Sequence, residues 1–228
     1  MAETIKLAGA DGFEFNAYHE PAFTPRKGGV VVIQEIFGID EHVRADVQRW
    51  AKMGYEAVAP ALYDRREPGF TAHHDPDGLK AGIAHAMGTP IDQALGDIAA
   101  ARDFLKARGG KNGGEKVCVV GYCYGGSLAW LAAARVEGLS AASSYYGSLV
   151  KANAALTPAC PVIVHLGRTD PGIPADEVAA AVAEYNPNVP VYIYEGAGHG
   201  FNNESPERYN AVAADLARHR TLELFDKA

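Results

Sequence analysis

Five short, continuous runs of apolar and β-branched residues, at 30–34, 57–59, 117–120, 161–166 and 189–194, restrict what this chain can fold into more than any other feature. A strand that is apolar on both sides must be covered on both sides, which is the situation of a parallel sheet lying between helices. The segments between the runs can supply that cover. Residues 40–53 carry Val43, Val47, Trp50 and Met53 at helical spacing and stop before Gly54, as a C-cap requires. Residues 91–107, 126–136, 175–185 and 205–224 read as further helices, the last opening on Ser205-Pro206, an N-cap followed by proline at the first helical position. Near the N-terminus, 4–8 and 13–19 flank Asp11-Gly12, a hairpin signal, so an antiparallel pair is expected ahead of the parallel strands. Residues 63–88 are polar and contain Gly, Pro and His; they predict a short helix at best and a candidate lid or substrate loop. The expected class is α/β, a mostly parallel central sheet flanked by helices with an N-terminal antiparallel hairpin.

The 228 residues are 48% hydrophobic and 21% charged, enough to bury a substantial core, and no linker or repeat divides them, so one domain over 1–228 is expected. A net charge of −7, a pI of about 5.6 and the lack of any Lys/Arg block argue against a nucleic-acid partner. The start, Met-Ala-Glu-Thr-Ile-Lys, is unlike a signal peptide, and no apolar stretch approaches the roughly 18 residues of a membrane span. A cytoplasmic monomer without a membrane partner is therefore expected. Cys118, Cys123 and Cys160 are an odd set without CxxC spacing, which suggests neither a disulfide framework nor a zinc site. Cys118 lies within an apolar run and Cys160 just before one, as small buried hydrophobes do. Cys123 keeps different company.

Val117-Cys118-Val119-Val120 runs into Gly121-Tyr122-Cys123-Tyr124-Gly125-Gly126 and then into a helix rich in alanine and leucine. Strand, G-x-C-x-G and helix together make a nucleophile elbow, in which a sharp turn lifts the reactive atom above the sheet and the glycines leave room for close backbone approach. The following helix presents its positive end to position 123, favouring a thiolate, and backbone N–H groups there can bind an oxyanion. A thiol nucleophile needs a base, and the base an orienting carboxylate. Asp170 follows His165-Leu166-Gly167 at the end of one strand, and His199 lies in Gly196-Ala197-Gly198-His199-Gly200-Phe201 after another. Both sit at carboxyl ends of strands, in the order nucleophile, acid, histidine, so Cys123, Asp170 and His199 are the expected catalytic residues. Asp170-Pro171 also suits a turn and helix cap, and His73-His74-Asp75 reads as an exposed polar loop rather than a metal cluster. Val32-Ile33-Gln34-Glu35-Ile36-Phe37-Gly38 ends another central strand, where the loop is expected to give an oxyanion donor, the backbone N–H of Ile36, alongside that of Tyr124. A carboxylate at 35, directly after buried apolar residues, costs free energy unless it is paired or functional.

Gln34-Glu35-Ile36-Phe37-Gly38, the elbow at 121–126, the Asp170 turn and Gly198-His199-Gly200-Phe201 together resemble the dienelactone hydrolase family of α/β-hydrolases, as does Pro60-Ala61-Leu62-Tyr63. The resemblance spans nearly the whole chain. It implies the α/β-hydrolase fold, a Cys123-His199-Asp170 triad, and a modulating glutamate, Glu35, that interacts with the nucleophile at rest and is displaced by substrate. It further implies hydrolysis of a small ester or lactone through an acyl-enzyme, with no metal and no organic cofactor. Phe37, Tyr63, Tyr122, Phe201, Arg65 and Arg66 are the residues expected to line the substrate.

Better-known members hold a substrate carboxylate with arginines, and here the chain departs from them. Phe201-Asn202-Asn203-Glu204 has no arginine beside His199 and 71–87 has none, leaving Arg65, Arg66 and Arg208. A partly buried carboxylate needs a charge-assisted partner, so an esterase or lactonase with weaker activity on dienelactone itself is expected. Two alternatives stand beside this: a general carboxylesterase with a non-dienelactone substrate, and a catalytically idle α/β-hydrolase acting as a binding protein. Amidotransferase-like cysteine hydrolases fit less well, because they usually carry histidine next to the nucleophile and Tyr124 occupies that position.

Overall fold

The computed structural model describes residues 2–109 and 116–228. The chain divides into two compact units, Met1–Val119 and Val120–Ala228.

In the first unit, β1 (Glu3–Ala8) and β2 (Glu14–Glu20) form the antiparallel hairpin, in register from Glu3 opposite His19 to Ala8 opposite Glu14. Its turn closes through Gly12 at φ +80°, with the Gly9 N–H donating to the Phe13 carbonyl and the Phe13 N–H to Asp11 Oδ1. β2 runs antiparallel to β4 (Tyr55–Pro60), and β3 (Gly28–Ile33) runs parallel to β4. β3 and β4 are buried along their whole length, as strands covered on both faces must be. α1 (Glu41–Lys52) begins at Asp40, whose carboxylate accepts the Val43 N–H, and buries Val43, Val47 and Trp50 on the side that meets β2, β3 and β4. α2 (Pro76–Gly88) fills half of the stretch expected to hold a short helix at best. The Asp75 carboxylate accepts the Gly78 N–H and proline occupies the first turn, so local capping outweighs the glycine content. α3 (Ile91–Ala107) buries Ala94, Ile98, Ala101 and Leu105 and meets β1, β3 and β4.

β5 (Val117–Tyr122) crosses the boundary between the units and leads into α4 (Tyr124–Arg135), a helix of small and apolar residues buried nearly all round. β6 (Ala141–Tyr145), β7 (Val162–Gly167) and β8 (Val191–Tyr194) pair in parallel succession. α5 (Ala175–Tyr185) contacts β8, and α6 (Ala211–Lys227) contacts β6 and β7. The eight strands are ordered β1-β2-β4-β3-β5-β6-β7-β8, a mostly parallel sheet edged by the antiparallel hairpin. Among the described residues no helix is long and apolar enough to cross a membrane.

Besides α2, two features depart from the sequence expectation. β6, Ala-Ala-Ser-Ser-Tyr, has no β-branched residue and was not anticipated, yet it is fully buried. Its hydroxyls are satisfied internally, Ser143 Oγ with Thr221 Oγ1 at 2.9 Å and Ser144 Oγ on the Gly126 carbonyl at 2.8 Å, which removes the cost of burying them. The last helix starts at Ala211 with Asn210 as its cap, whereas Ser205-Pro206 opens a turn in which the Arg208 and Tyr209 N–H groups donate to the Ser205 carbonyl.

The β4 carboxylate of Glu56 makes an acid-sensitive contact. It accepts from His19 Nε2 and Arg26 Nε, both at 2.8 Å, and pairs with Arg108. Burial by itself would raise its pKa, but His19, Arg108 and Arg26 hold it down to about 2 from 4.5. A lowered folded-state value contributes stability that is present above the unfolded value and is lost as pH falls through the folded one. The shift corresponds to about 3 kcal/mol between pH 4.5 and 2. Urea-denaturation midpoints should therefore drop more between pH 7 and pH 3 for the wild type than for Glu56→Gln, whose amide does not titrate.

Candidate active site

Cys123 joins β5 to α4 with φ +56° and ψ −112°. A non-glycine residue held there carries about 1–3 kcal/mol of strain. The turn is too tight for side chains on either side: a Cβ on Gly121 would come within 1.9 Å of the Gly125 carbonyl oxygen, and one on Gly126 within 2.1 Å of that of Tyr145. The Cys123 N–H donates to the Tyr145 carbonyl at 3.0 Å, so the elbow is tied to the end of β6.

Asp170 follows β7 and His199 follows β8, and both turn toward this elbow. His199 Nδ1 lies 2.7 Å from Asp170 Oδ2, and Nε2 lies 3.1 Å from Cys123 Sγ. A carboxylate can only accept, so Nδ1 donates to Asp170 and Nε2 faces the sulfur. Asp170 Oδ1 accepts the Gly172 N–H at 2.9 Å, which fixes the buried carboxylate from its other side. Burial alone would lower the His199 pKa; the hydrogen bonds to Asp170 and Cys123 more than offset it and push it up to about 10. With its pKa raised in this way the imidazole can donate from both nitrogens, to the carboxylate on one side and toward the sulfur on the other.

Tyr122 and Phe201 belong to the same unit and are buried against the aromatic cluster of Tyr145, Tyr146 and Tyr194, with ring centroids 4.9 Å apart for Tyr122 and Tyr145 and 5.2 Å for Phe201 and Tyr194. The remaining sequence candidates lie in the first unit. Glu35 is 2% exposed, just beyond β3. The Ile36 carbonyl abuts α2, where a Cβ on Gly82 would come within 2.5 Å of it. Phe37 stacks on His74 at 3.8 Å, and its carbonyl accepts the Ala72 N–H at 3.0 Å. His74 Nε2 is 2.7 Å from Asp40 Oδ2 and Asp75 caps α2, so this polar triplet serves packing and capping. Tyr63 is buried beside Phe70 and His85. Arg65 is bidentate on Asp11 at 2.7 and 3.0 Å and also grips Asp97 at 2.8 and 3.2 Å, while Arg66 donates to the Gly88 carbonyl. Among the described residues no group of His, Cys, Asp and Glu side chains is arranged to hold a metal ion.

One residue beside His199 is absent from the sequence reading. Tyr146 is fully buried at φ +39°, with its ring centroid 5.1 Å from that of His199. A Tyr-Tyr-Gly sequence at the end of β6 marks it, but only once that strand is recognised.

Known proteins share this architecture. The dienelactone hydrolase family matches residues 15–228. The carboxymethylenebutenolidase of Pseudomonas putida is 35% identical over 232 residues, spanning 99% of this chain and 96% of that protein. The crystal structure of a candidate dienelactone hydrolase from Klebsiella pneumoniae superposes with a TM-score of 0.85 at 29% identity, over 100% of this chain and 99% of that one. The Pyrococcus furiosus esterase Pf2001 shares the fold alone, with a TM-score of 0.69 at 13% identity over 100% of this chain and 92% of the other. With the family matched along nearly all of its length and a relative of this identity aligned almost end to end, the chain is a hydrolase of the α/β-hydrolase fold and belongs to the dienelactone hydrolase family.

Proposed function

We propose that this protein hydrolyses a small ester or lactone, in the manner of a carboxymethylenebutenolidase, through an acyl-enzyme on Cys123. The observation that carries the reading is the relay from Asp170 through His199 to the Cys123 sulfur, with links of 2.7 and 3.1 Å. In the first half-reaction the thiolate attacks the carbonyl carbon and the π pair moves onto oxygen, where the Tyr124 N–H at the head of α4 is the proposed donor and the Ile36 N–H is the second donor assigned from sequence. The intermediate collapses, the C–O bond breaks, and His199 Nε2 gives its proton to the departing alkoxide, which for a lactone stays attached through the acyl chain. A water then loses a proton to Nε2 and attacks the thioester, releasing the acid and the thiolate. Asp170 keeps the ring oriented and stabilises its charge throughout. Glu35 is assigned the modulating role of the family glutamate. The buried rings of Phe37, Tyr63, Tyr122 and Phe201 are assigned to the apolar walls behind the substrate. The same reading has the protein act as a cytoplasmic monomer.

Substrate choice turns on the arginines. Arg65 serves Asp11 and Asp97, and Arg66 serves the Gly88 carbonyl. Arg208 lies along Gly200, the neighbour of His199, where a Cβ would meet its Cδ at 3.3 Å. Among the described arginines it is the one best situated for an acidic group on the substrate, and with a single cation there simple esters should be turned over at least as fast as dienelactone.

Three measurements test this. Cys123→Ala should lose about 10⁴-fold or more in hydrolysis of p-nitrophenyl acetate and dienelactone; retained activity would overturn the assignment of the nucleophile. Asp170→Asn removes the largest influence raising the His199 pKa, which should drop from about 10 toward 6.5, so the alkaline limb of kcat/KM against pH should move down, with kcat lowered by up to about 10⁴-fold. Arg208→Ala should raise KM for dienelactone about tenfold, roughly 1.4 kcal/mol of binding, and leave p-nitrophenyl acetate within about twofold; equal effects on both substrates would exclude an anion-binding role.

A further inference from the structure

We propose that Tyr146 is a positioning residue for His199, and that the segment 144–147 brackets nucleophile and base so that sulfur and imidazole stay in register. The inference rests on the reading of Cys123 and His199 as nucleophile and base, and goes beyond it by naming what holds them together.

Tyr146 and Cys123 are the non-glycine residues with positive φ among the described residues, at +39° and +56°. A bulky aromatic residue in that region is an outlier and persists only where its surroundings over-determine it. Both sides of Tyr146 are fastened. Before it, the Tyr145 carbonyl accepts the Cys123 N–H at 3.0 Å and Ser144 Oγ donates to the Gly126 carbonyl at 2.8 Å. After it, Gly147 passes so close to α4 that a Cβ would come within 2.6 Å of the Ser127 nitrogen, and the Leu149 N–H donates to Ser127 Oγ at 3.1 Å. The Tyr146 N–H itself donates to the His165 carbonyl at 2.8 Å.

The left-handed turn aims the ring at the loop that carries the base. It meets His199 at 5.1 Å between centroids, tilted by 58°, and Phe201 at 5.2 Å, nearly edge-on at 74°. One segment therefore binds the nucleophile through the Tyr145 carbonyl and the base through the Tyr146 ring. An aromatic ring at this distance also favours a cation, so the contact supports the charged imidazole as well as its position. Contacts to the His199 ring come from the Asp170 carboxylate, the Cys123 sulfur and this ring.

The test compares Tyr146→Phe, which keeps the ring, with Tyr146→Leu, which removes it, and with Tyr146→Met, which keeps bulk without the ring should the leucine variant be unstable in urea. Two readouts are taken: kcat and KM for p-nitrophenyl acetate, and the rate at which iodoacetamide alkylates Cys123 between pH 5 and 10, followed by peptide mass mapping to exclude Cys118 and Cys160. Tyr146→Phe should stay within about twofold of wild type in both. The ringless variants should lose at least about tenfold in kcat with KM little changed, and their alkylation at pH 6 should slow relative to pH 9 as the sulfur loses its positioned imidazole. A folded ringless variant with wild-type kcat and alkylation profile overturns the proposal, as does a phenylalanine variant that loses as much as leucine. Alkylation needs no substrate: wild-type protein that hydrolysed neither ester nor lactone but showed the ring-dependent profile would sink the esterase reading and leave the bracket standing.

Discussion

The turn at Cys123 is possible because two glycines allow backbone to approach backbone at distances no side chain would permit. Gly121 faces the Gly125 carbonyl and Gly126 faces the Tyr145 carbonyl, and in each case a single methyl group would overlap an oxygen. That closeness lets α4 start immediately after β5, brings β6 against the turn, and makes the Tyr145 carbonyl available to the Cys123 N–H. The strain at position 123 is sustained by packing on all sides: α4 is apolar around most of its circumference and β5 is buried throughout. Were the elbow to relax, the sulfur would no longer stand at the imidazole, and the ends of β7 and β8 would deliver Asp170 and His199 to an empty position.

Burial has opposite consequences for two histidines of this same unit, and the difference lies in their partners. His165, wholly enclosed in β7, sits between the Tyr194 hydroxyl at 2.8 Å and Thr221 Oγ1 at 3.0 Å. Burial, aided by the charge of Arg220, holds it down to about 3, so it is neutral and serves the interior as a hydrogen-bonding post. His199 is also disfavoured as a cation by burial but faces a carboxylate and a sulfur, and its pKa goes up instead. Two groups that stabilise the cation outweigh the cost of enclosing it, whereas two hydroxyls do not. A proton can therefore be held ready at one strand end while the neighbouring strand interior remains electrically inert.

The elbow was legible in the sequence because strand, G-x-C-x-G and helix are contiguous, and each glycine stands where the backbone needs it. The order Cys123, Asp170, His199 was equally legible, since each follows an apolar run and strand ends gather at one edge of a parallel sheet. β6 was not, because Ala-Ala-Ser-Ser-Tyr carries no hydrophobic signal and becomes a core strand only when Thr221 and the Gly126 carbonyl satisfy its serines. α2 was underestimated because polarity and glycine concealed a sound cap at Asp75. The arginines were ambiguous for a different reason: the carboxylates that engage Arg65 lie 54 residues upstream and 32 downstream, at Asp11 and Asp97.

By itself, then, the sequence determined the layer architecture, the strand-turn-helix around Cys123 and the succession of Cys123, Asp170 and His199 at strand ends, because these follow from periodicity and from residues close together along the chain. Only the tertiary structure decided the 3.1 Å approach of sulfur to imidazole, the partners that raise the pKa of the histidine and the strained conformation of Tyr146. Distances between segments and the partners of a buried charge are properties of packed surfaces, and no local pattern along the chain encodes them.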